Sequence, residues 1–100
     1  MSAREDLIEV LQVTRRTLAH EENDFAWSSW HDADAALAEI DTFVDALTNC
    51  KPFDELELSV LFAATGPICE VSLSSGWSDG YLRLAERFDT AYERFTASVA

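Results

Sequence analysis

The sequence is short of the residues that interrupt helices. It contains three glycines and two prolines in 100 residues. All three glycines and Pro67 fall within residues 64–80, ATGPICEVSLSSGWSDG, so the main break in helical periodicity is confined to this stretch. No repeat and no low-complexity segment divides the chain, and we expect one small domain.

Long apolar runs are also missing. No stretch approaches the roughly 18 apolar residues that a membrane-spanning helix needs, and the charged start of the chain, MSAREDLIEV, is unlike a secretory signal. We therefore expect a cytoplasmic protein that does not enter a membrane. The two cysteines, Cys50 and Cys69, belong to no CxxC pattern, which favours free thiols over a disulfide or a zinc site.

Positive charge is scarce. Seven Lys and Arg residues face nineteen Asp and Glu residues, for a net charge of −12. Eleven of the acids and a single base, Lys51, lie between Glu21 and Glu57, a range that we call the acidic segment. Such a surface repels nucleic acids and anionic membranes and attracts basic proteins. Acidity can also serve solubility alone, so the sequence leaves both interpretations open.

Apolar residues recur at helical spacing in three long blocks, which predict helices at about 3–22, 26–49 and 78–97. The second block has a 3-4-3-4-3 seam typical of a helix packed on another helix, formed by Trp30, Ala33, Leu37, Ile40, Val44 and Leu47. The apolar face of the third block comprises Tyr81, Leu84, Phe88, Tyr92, Phe95 and Val99. The fold class predicted is a mostly α, compact bundle of three long helices.

The predicted helix ends depend on capping residues. Ser2 and Glu5 have the spacing of a capping box at the first helix. Asn23 or Asp24 suits the N-cap of the second helix, and Asn49 suits a left-handed residue at its end.

Residues 53–75 are ambiguous between two structures. LELSVLF and CEVSL alternate as the strands of a hairpin would. Pro67 suits the first position of a helix, and Gly76 suits the position after its end. We predict a short two-piece insert before the last helix, formed by two short helices or alternatively by a β-hairpin. Trp77 and Leu82 have the spacing of a hydrophobic staple on the helix that follows.

Residue types for catalysis are sparse. His20 and His31 are the only histidines. A metal-dependent or small-molecule-binding enzyme would have to use His31 with the nearby carboxylates of Asp32 and Asp34, although metal sites need three or four converging donors. The serines within residues 72–78 lack the G-x-S-x-G spacing and favour turns and caps. We therefore expect no catalytic residue, no cofactor and no bound metal.

Three carboxylates, at Asp34, Asp41 and Asp45, lie along one line of the predicted second helix, beside its seam. Either arginines of a neighbouring helix pair with them, or they form a landing surface for a basic protein. The predicted partner-binding residues are Asp34, Asp41, Asp45, Trp27, Glu21 and Glu22. The protein is expected to be a monomer, or a homodimer joined through its aromatic last helix.

Three stretches of the chain, DFAWSSW, LFAATGPICEVSLSSGW and LAERFD, resemble a family of small uncharacterised bacterial proteins of about this length. The resemblance covers most of the chain and implies no activity, cofactor or catalytic residue. The long helices, the glycine-containing turn and the acidity are also similar to immunity-type proteins found beside bacterial toxins. Together these features favour a non-catalytic protein-binding function.

Overall fold

The computed structural model describes residues 2–99, with side chains up to residue 97, and contains five helices and no strand in this range. The helices are α1 (Ala3–Leu18), α2 (Ala33–Thr48), α3 (Glu55–Leu61), α4 (Pro67–Ser75) and α5 (Ser78–Val99). The prediction of a mostly helical protein is confirmed. Residues 53–75 contain the two short helices and not the hairpin. No helix among the described residues has both the length and the apolarity that a bilayer crossing requires.

Helix α1 is central to the bundle, because α2 and α5 both pack against it, while α4 packs on α5. Leu7, Leu11 and Leu18 of α1 are fully buried between these neighbours. Ile40 and Leu47 of the predicted α2 seam are fully buried as well. Burying side chains of this size stabilises the fold by about 1.5–3 kcal/mol each.

Aromatic rings join the short helices to α5. Phe62, the C-cap residue of α3, stacks on Phe88 of α5 with ring centroids 4.1 Å apart. The hydroxyl of Tyr81 donates a buried hydrogen bond of 2.8 Å to the backbone carbonyl of Phe62. Phe53 lies between Phe43 and Phe95, at centroid distances of 6.1 and 6.2 Å. The side chain of Val99, which the sequence places on the same face of α5, lies outside the described residues.

The end of α1 differs from the prediction. The helix stops at Leu18 instead of continuing to residue 22. The side-chain amide of Asn23 donates to the backbone carbonyls of Thr17 (2.7 Å) and Leu18 (3.1 Å). These bonds satisfy two carbonyls that the last turn of a helix leaves without partners. Asn23 is therefore a C-terminal capping residue of α1 and not the N-cap of α2.

The start of α2 also differs from the prediction. The helix begins at Ala33 and not near residue 26, and its N-cap is Asp32, which accepts a 2.9 Å hydrogen bond from the backbone of Ala35. Before it, the side chains of Asp24 and Ser28 each accept from the backbone N–H two residues ahead. Such local bonds compete with helix formation. Residues 19–32 consequently form a loop without regular structure, which we call loop 19–32.

The left-handed residue after α2 is Cys50, with φ of 55°, and not Asn49, with φ of −99°. The backbone N–H of Lys51 donates to the carbonyl of Ala46 at 2.8 Å, as in a Schellman motif. A non-glycine residue in this conformation carries a steric cost of about 1–2 kcal/mol. The predicted left-handed position, Asn49, is one residue before the observed one, Cys50.

The glycine-rich turns at residues 64–80 match their predicted roles. Pro67 is the first residue of α4, and Gly76 follows the last with φ of 83°, in the left-handed region. Gly66 is required for a different reason. A Cβ atom at Gly66 would lie 2.2 Å from the backbone oxygen of Val60, so the close passage of the chain past α3 excludes any side chain.

Candidate functional site

Three hydrogen bonds join loop 19–32 to α4 and to Trp77, the residue before α5. The backbone N–H of Asp24 donates to Ser75 Oγ at 2.8 Å, and the indole N–H of Trp77 donates to Asn23 Oδ1 at 2.8 Å. The backbone N–H of Ser29 donates to Glu70 Oε1 at 3.2 Å. The loop therefore has a defined position on α4 and on the start of α5. No local pattern predicts these contacts, because they join residues more than 40 positions apart.

Trp77 has an anchoring role different from the predicted staple. Its ring packs against the core and its N–H is bonded to Asn23. Leu82, the proposed second half of the staple, is 61% exposed. Trp77 therefore connects the start of α5 to loop 19–32 and does not form the predicted staple with Leu82.

The other two tryptophans occupy opposite environments. Trp30 is 6% exposed, and its indole N–H donates to Glu39 Oε2 at 2.5 Å. Trp27 lies three residues earlier in the same loop and is 78% exposed. No hydrogen bond or ring contact of Trp27 occurs within the described part of the chain. Burial of Trp30 follows from its place on the apolar seam, whereas nothing in the described structure uses Trp27.

Six of the eleven acids of the acidic segment have structural roles in the described residues. Asp32 and Asp54 are the N-caps of α2 and α3. The four others accept hydrogen bonds or form ion pairs: Asp24 with Ala26, Glu39 with Trp30, Asp41 with Arg15, and Asp45 with Asn49 and Lys51. More than half of the acidity therefore contributes to local structure.

The pair of Arg15 and Asp41 joins α1 to α2. Arg15 Nε lies 2.6 Å from Asp41 Oδ1, and a second guanidinium nitrogen lies 3.2 Å from Oδ2. The pKa of Arg15 is raised by this hydrogen bond and by the negative charge of Asp41. For Asp41, the first of the two interpretations of the carboxylate line is therefore correct, because an arginine of a neighbouring helix occupies it.

The remaining five acids are exposed and have no hydrogen-bond or ion-pair partner for their carboxylates among the described residues: Glu21, Glu22, Asp34, Glu55 and Glu57. Asp34, Glu55 and Glu57 lie in the first turns of α2 and α3, where a negative charge interacts favourably with the helix dipole. Glu21 and Glu22 lie in loop 19–32, away from any helix start. They are the acids that the described fold does not use.

The predicted partner-binding residues thus divide into two groups. Asp41 and Asp45 lie on α2 and form ion pairs with Arg15 and Lys51, respectively. Glu21, Glu22 and Trp27 lie exposed in loop 19–32, and Asp34 lies exposed two residues after it. The structure places this second group on one continuous stretch of chain, which is held by the hydrogen bonds at Asn23, Asp24 and Ser29.

Neither histidine lies in a cluster of metal ligands. His31 is exposed at the end of loop 19–32. His20 is also exposed, and its Nδ1 accepts a 3.3 Å hydrogen bond from the backbone of Glu22. Among the residues that the structure describes, no three His, Cys, Asp or Glu side chains converge on a point that a metal ion would occupy. The alternative of a metal-dependent enzyme at His31 has no geometric support in these residues.

Comparison with family models, with curated proteins and with solved structures finds no match for this chain.

Proposed function

We propose that this protein is a non-catalytic, cytoplasmic protein-binding module that engages a basic partner through loop 19–32 and the start of α2. The observation that carries the proposal is Trp27, which is 78% exposed on an ordered loop between the unpaired acids Glu21 and Glu22 and the exposed Asp34. Tryptophan is the residue type most enriched at the energetic centres of protein interfaces. An immunity-like protein that neutralises a basic toxin is the most specific form of this proposal.

The length of the loop supports it. Loop 19–32 comprises 14 residues, from residue 19 to residue 32, without regular structure. Loops longer than about 12–15 residues are uncommon in compact domains and usually either bind ligands or are disordered. This one has tethers to α4 and α5, so it presents Trp27 at a low entropic cost of ordering on binding.

The charge distribution supports a basic partner in particular. Unpaired surface carboxylates attract a cationic protein and increase its association rate, and salt screens this attraction. At about 0.1 M salt the Debye length is about 10 Å, and at about 1 M it is about 3 Å. Binding to the loop should therefore weaken across this range of salt.

The test compares two matched pairs of variants. Trp27→Ala is paired with Leu82→Ala, which also removes an exposed apolar side chain. The double variant Glu21→Gln with Glu22→Gln is paired with Asp89→Asn and Glu93→Gln, two exposed acids of α5. Each double variant removes two negative charges, so the protein's net charge is the same in both.

The measurement is affinity capture from the native host at about 0.1 M and about 1 M NaCl, followed by titration of the captured protein. We expect one basic protein whose Kd increases at least about tenfold with Trp27→Ala or with the loop double variant, and hardly with the controls. Equal losses of affinity for both double variants would show that the net charge of the protein determines binding, and not the position of the acids in the loop. Capture that is insensitive to salt and to Trp27 would refute the proposal.

A further inference from the structure

A groove that contains four arginines runs between α1 and α5 and ends beside loop 19–32. It consists of three depressions of about 450, 330 and 370 Å³ that share lining residues. Arg83 and Arg87 line both the first and the second, and Thr17 and Trp77 line both the second and the third. We call this continuous feature the α1–α5 groove. From Gly80 to Arg94 along α5 it extends for about 21 Å, at 1.5 Å per residue.

The groove contains most of the protein's positive charge. Four of the seven basic residues line it: Arg16, Arg83, Arg87 and Arg94. Arg94 is paired with Asp6 at 3.1 Å. Within the described part of the chain, Arg16, Arg83 and Arg87 form no ion pair. A protein with a net charge of −12 thus keeps three unpaired arginines along one groove.

The central part of the groove is basic without any acid. Arg83 and Arg87 line it together with apolar residues that include Val13, Leu84 and Trp77. Two arginines one helical turn apart repel each other and slightly destabilise a helix. Among the described residues neither arginine forms an ion pair that would offset this repulsion. Two guanidinium groups beside apolar side chains match a ligand that has carboxylates next to apolar side chains.

We propose that the α1–α5 groove binds an acidic peptide segment of a partner protein, whose carboxylates pair with Arg83 and Arg87 while apolar side chains cover Val13 and Leu84. The extended shape suits a peptide, because small-molecule sites enclose most of their ligand. The outer parts of the groove contain acids, with Asp6, Glu9 and Glu86 at one end and Glu22 at the other. Those acids repel a continuous polyanion such as nucleic acid, whereas a peptide can place neutral or basic residues beside them.

The experiment titrates a fluorescent synthetic peptide of about 16 residues, long enough to cover the groove as a helix. The peptide has Glu residues four positions apart along one face, where they pair with guanidinium groups, and Leu residues beside them. A control peptide has Gln in place of each Glu. Amide chemical shifts of the protein report the location of binding.

We expect saturable binding of the Glu peptide, with shifts confined to the groove residues of α1 and α5, and at least about tenfold weaker binding of the Gln peptide. The double variant Arg83→Gln with Arg87→Gln should weaken binding at least about tenfold. Arg83→Lys with Arg87→Lys should have an intermediate effect, because lysine keeps the charge but loses the bidentate geometry. The matched control is Arg15→Gln with Lys51→Gln, which removes two charges outside the groove.

Several outcomes would overturn the proposal. These are absent binding, equal losses in the groove and control variants, or tighter binding of a single-stranded oligonucleotide than of the Glu peptide. Self-association in light scattering that the Arg83 and Arg87 variants abolish would make a second copy of this chain the occupant. Neutralising Glu21 alone, which lies in loop 19–32 and lines none of the three depressions, should leave binding of the Glu peptide intact. Failure here therefore leaves the basic-partner proposal standing, and the converse also holds.

Discussion

The indole N–H of Trp77 donates to the side-chain oxygen of Asn23 at 2.8 Å, and the amide nitrogen of the same Asn23 donates to the last carbonyls of α1. One side chain thus ends α1, fixes loop 19–32 and holds the start of α5. A residue whose three side-chain hydrogen bonds join its loop to α1 and to Trp77 has a larger effect on stability than its small size suggests.

Asn23→Ala should destabilise the protein by about 2 kcal/mol, because it removes three partly buried hydrogen bonds worth about 1 kcal/mol each, offset by residual solvation. Asn23→Asp should cost at least as much, since a carboxylate still accepts from Trp77 but places a negative oxygen, which cannot donate, against the carbonyls of Thr17 and Leu18 at the C-terminus of α1. Urea unfolding of the three proteins measures both differences. A smaller loss with Asn23→Asp than with Asn23→Ala would contradict the hydrogen bonds from Asn23 to the carbonyls of α1.

Two glycine substitutions should have opposite effects. In Gly66→Ala the new Cβ would lie 2.2 Å from the backbone oxygen of Val60, so the chain must shift at a cost of at least about 2 kcal/mol. In Gly80→Ala the nearest atom is the Trp77 ring at 3.8 Å, and alanine in a helix is favoured over glycine by about 0.5–1 kcal/mol. Thermal unfolding should show a lower Tm for the first variant and a higher Tm for the second. Similar Tm values would contradict the close passage at Gly66.

Cys50→Gly should increase stability by about 1 kcal/mol, because glycine adopts the left-handed conformation of residue 50 without the steric cost of a Cβ atom. Cys50→Val should decrease stability, since β-branched residues are the least tolerant of positive φ. Chemical denaturation under reducing conditions measures both changes. No gain with glycine would indicate that α2 ends differently in solution.

The buried Tyr81 makes stability sensitive to alkaline pH. Its pKa is raised from 10.0 by burial, and further by the negative charges of ionised Cys69 and of Asp89. The folded protein therefore holds this proton more tightly than the unfolded chain does. The stabilising contribution is complete below a pH of about 10 and is lost as pH rises through the higher folded pKa.

Replacing Tyr81 with Phe tests this sign. Tyr81→Phe should lower stability by about 1 kcal/mol at neutral pH, because the carbonyl of Phe62 loses its donor. Above a pH of about 10 the difference between the two proteins should shrink, since only the wild type has this phenol to ionise. Unfolding free energies measured across that range give the difference directly. A difference that widens with pH would contradict the raised pKa.

The sequence predicts a helix boundary correctly where a residue close to that boundary determines it. Pro67 and Gly76 bound α4 as their backbone preferences require, and Ser2 accepts a 3.1 Å hydrogen bond from the backbone of Glu5 at the start of α1. At these positions the residue that determines the boundary lies within a few positions of it. Periodicity of the apolar residues then fixed which faces are buried.

The predicted extension of α2 back to residue 26 failed for a physical reason. Trp30 fits the helical seam and is buried, so its spacing to Ala33 is satisfied without helical backbone. Serine and aspartate side chains at positions 24, 28 and 32 bond the nearby backbone instead. The spacing of apolar residues indicates which residues are buried, but it does not determine whether their backbone is helical.

The predicted site was recovered only in part for a related reason. The acidic segment was visible as composition, but pairing of Asp41 with Arg15 depends on how α1 and α2 pack. The α1–α5 groove escaped prediction although Arg83 and Arg87 have a spacing of four residues in the sequence. The spacing also places Arg83 four residues after Asp79, an i,i+4 pair that forms no ion pair among the described residues.

The tethers of loop 19–32 bear on the order in which the protein assembles. Each joins residues 41 to 54 positions apart, so none can form before α4 or Trp77 has packed beside the loop. We expect this segment to order last during refolding and to be released first on warming. Limited proteolysis of partly heated protein should then cleave beside Trp27 while the helices still resist digestion.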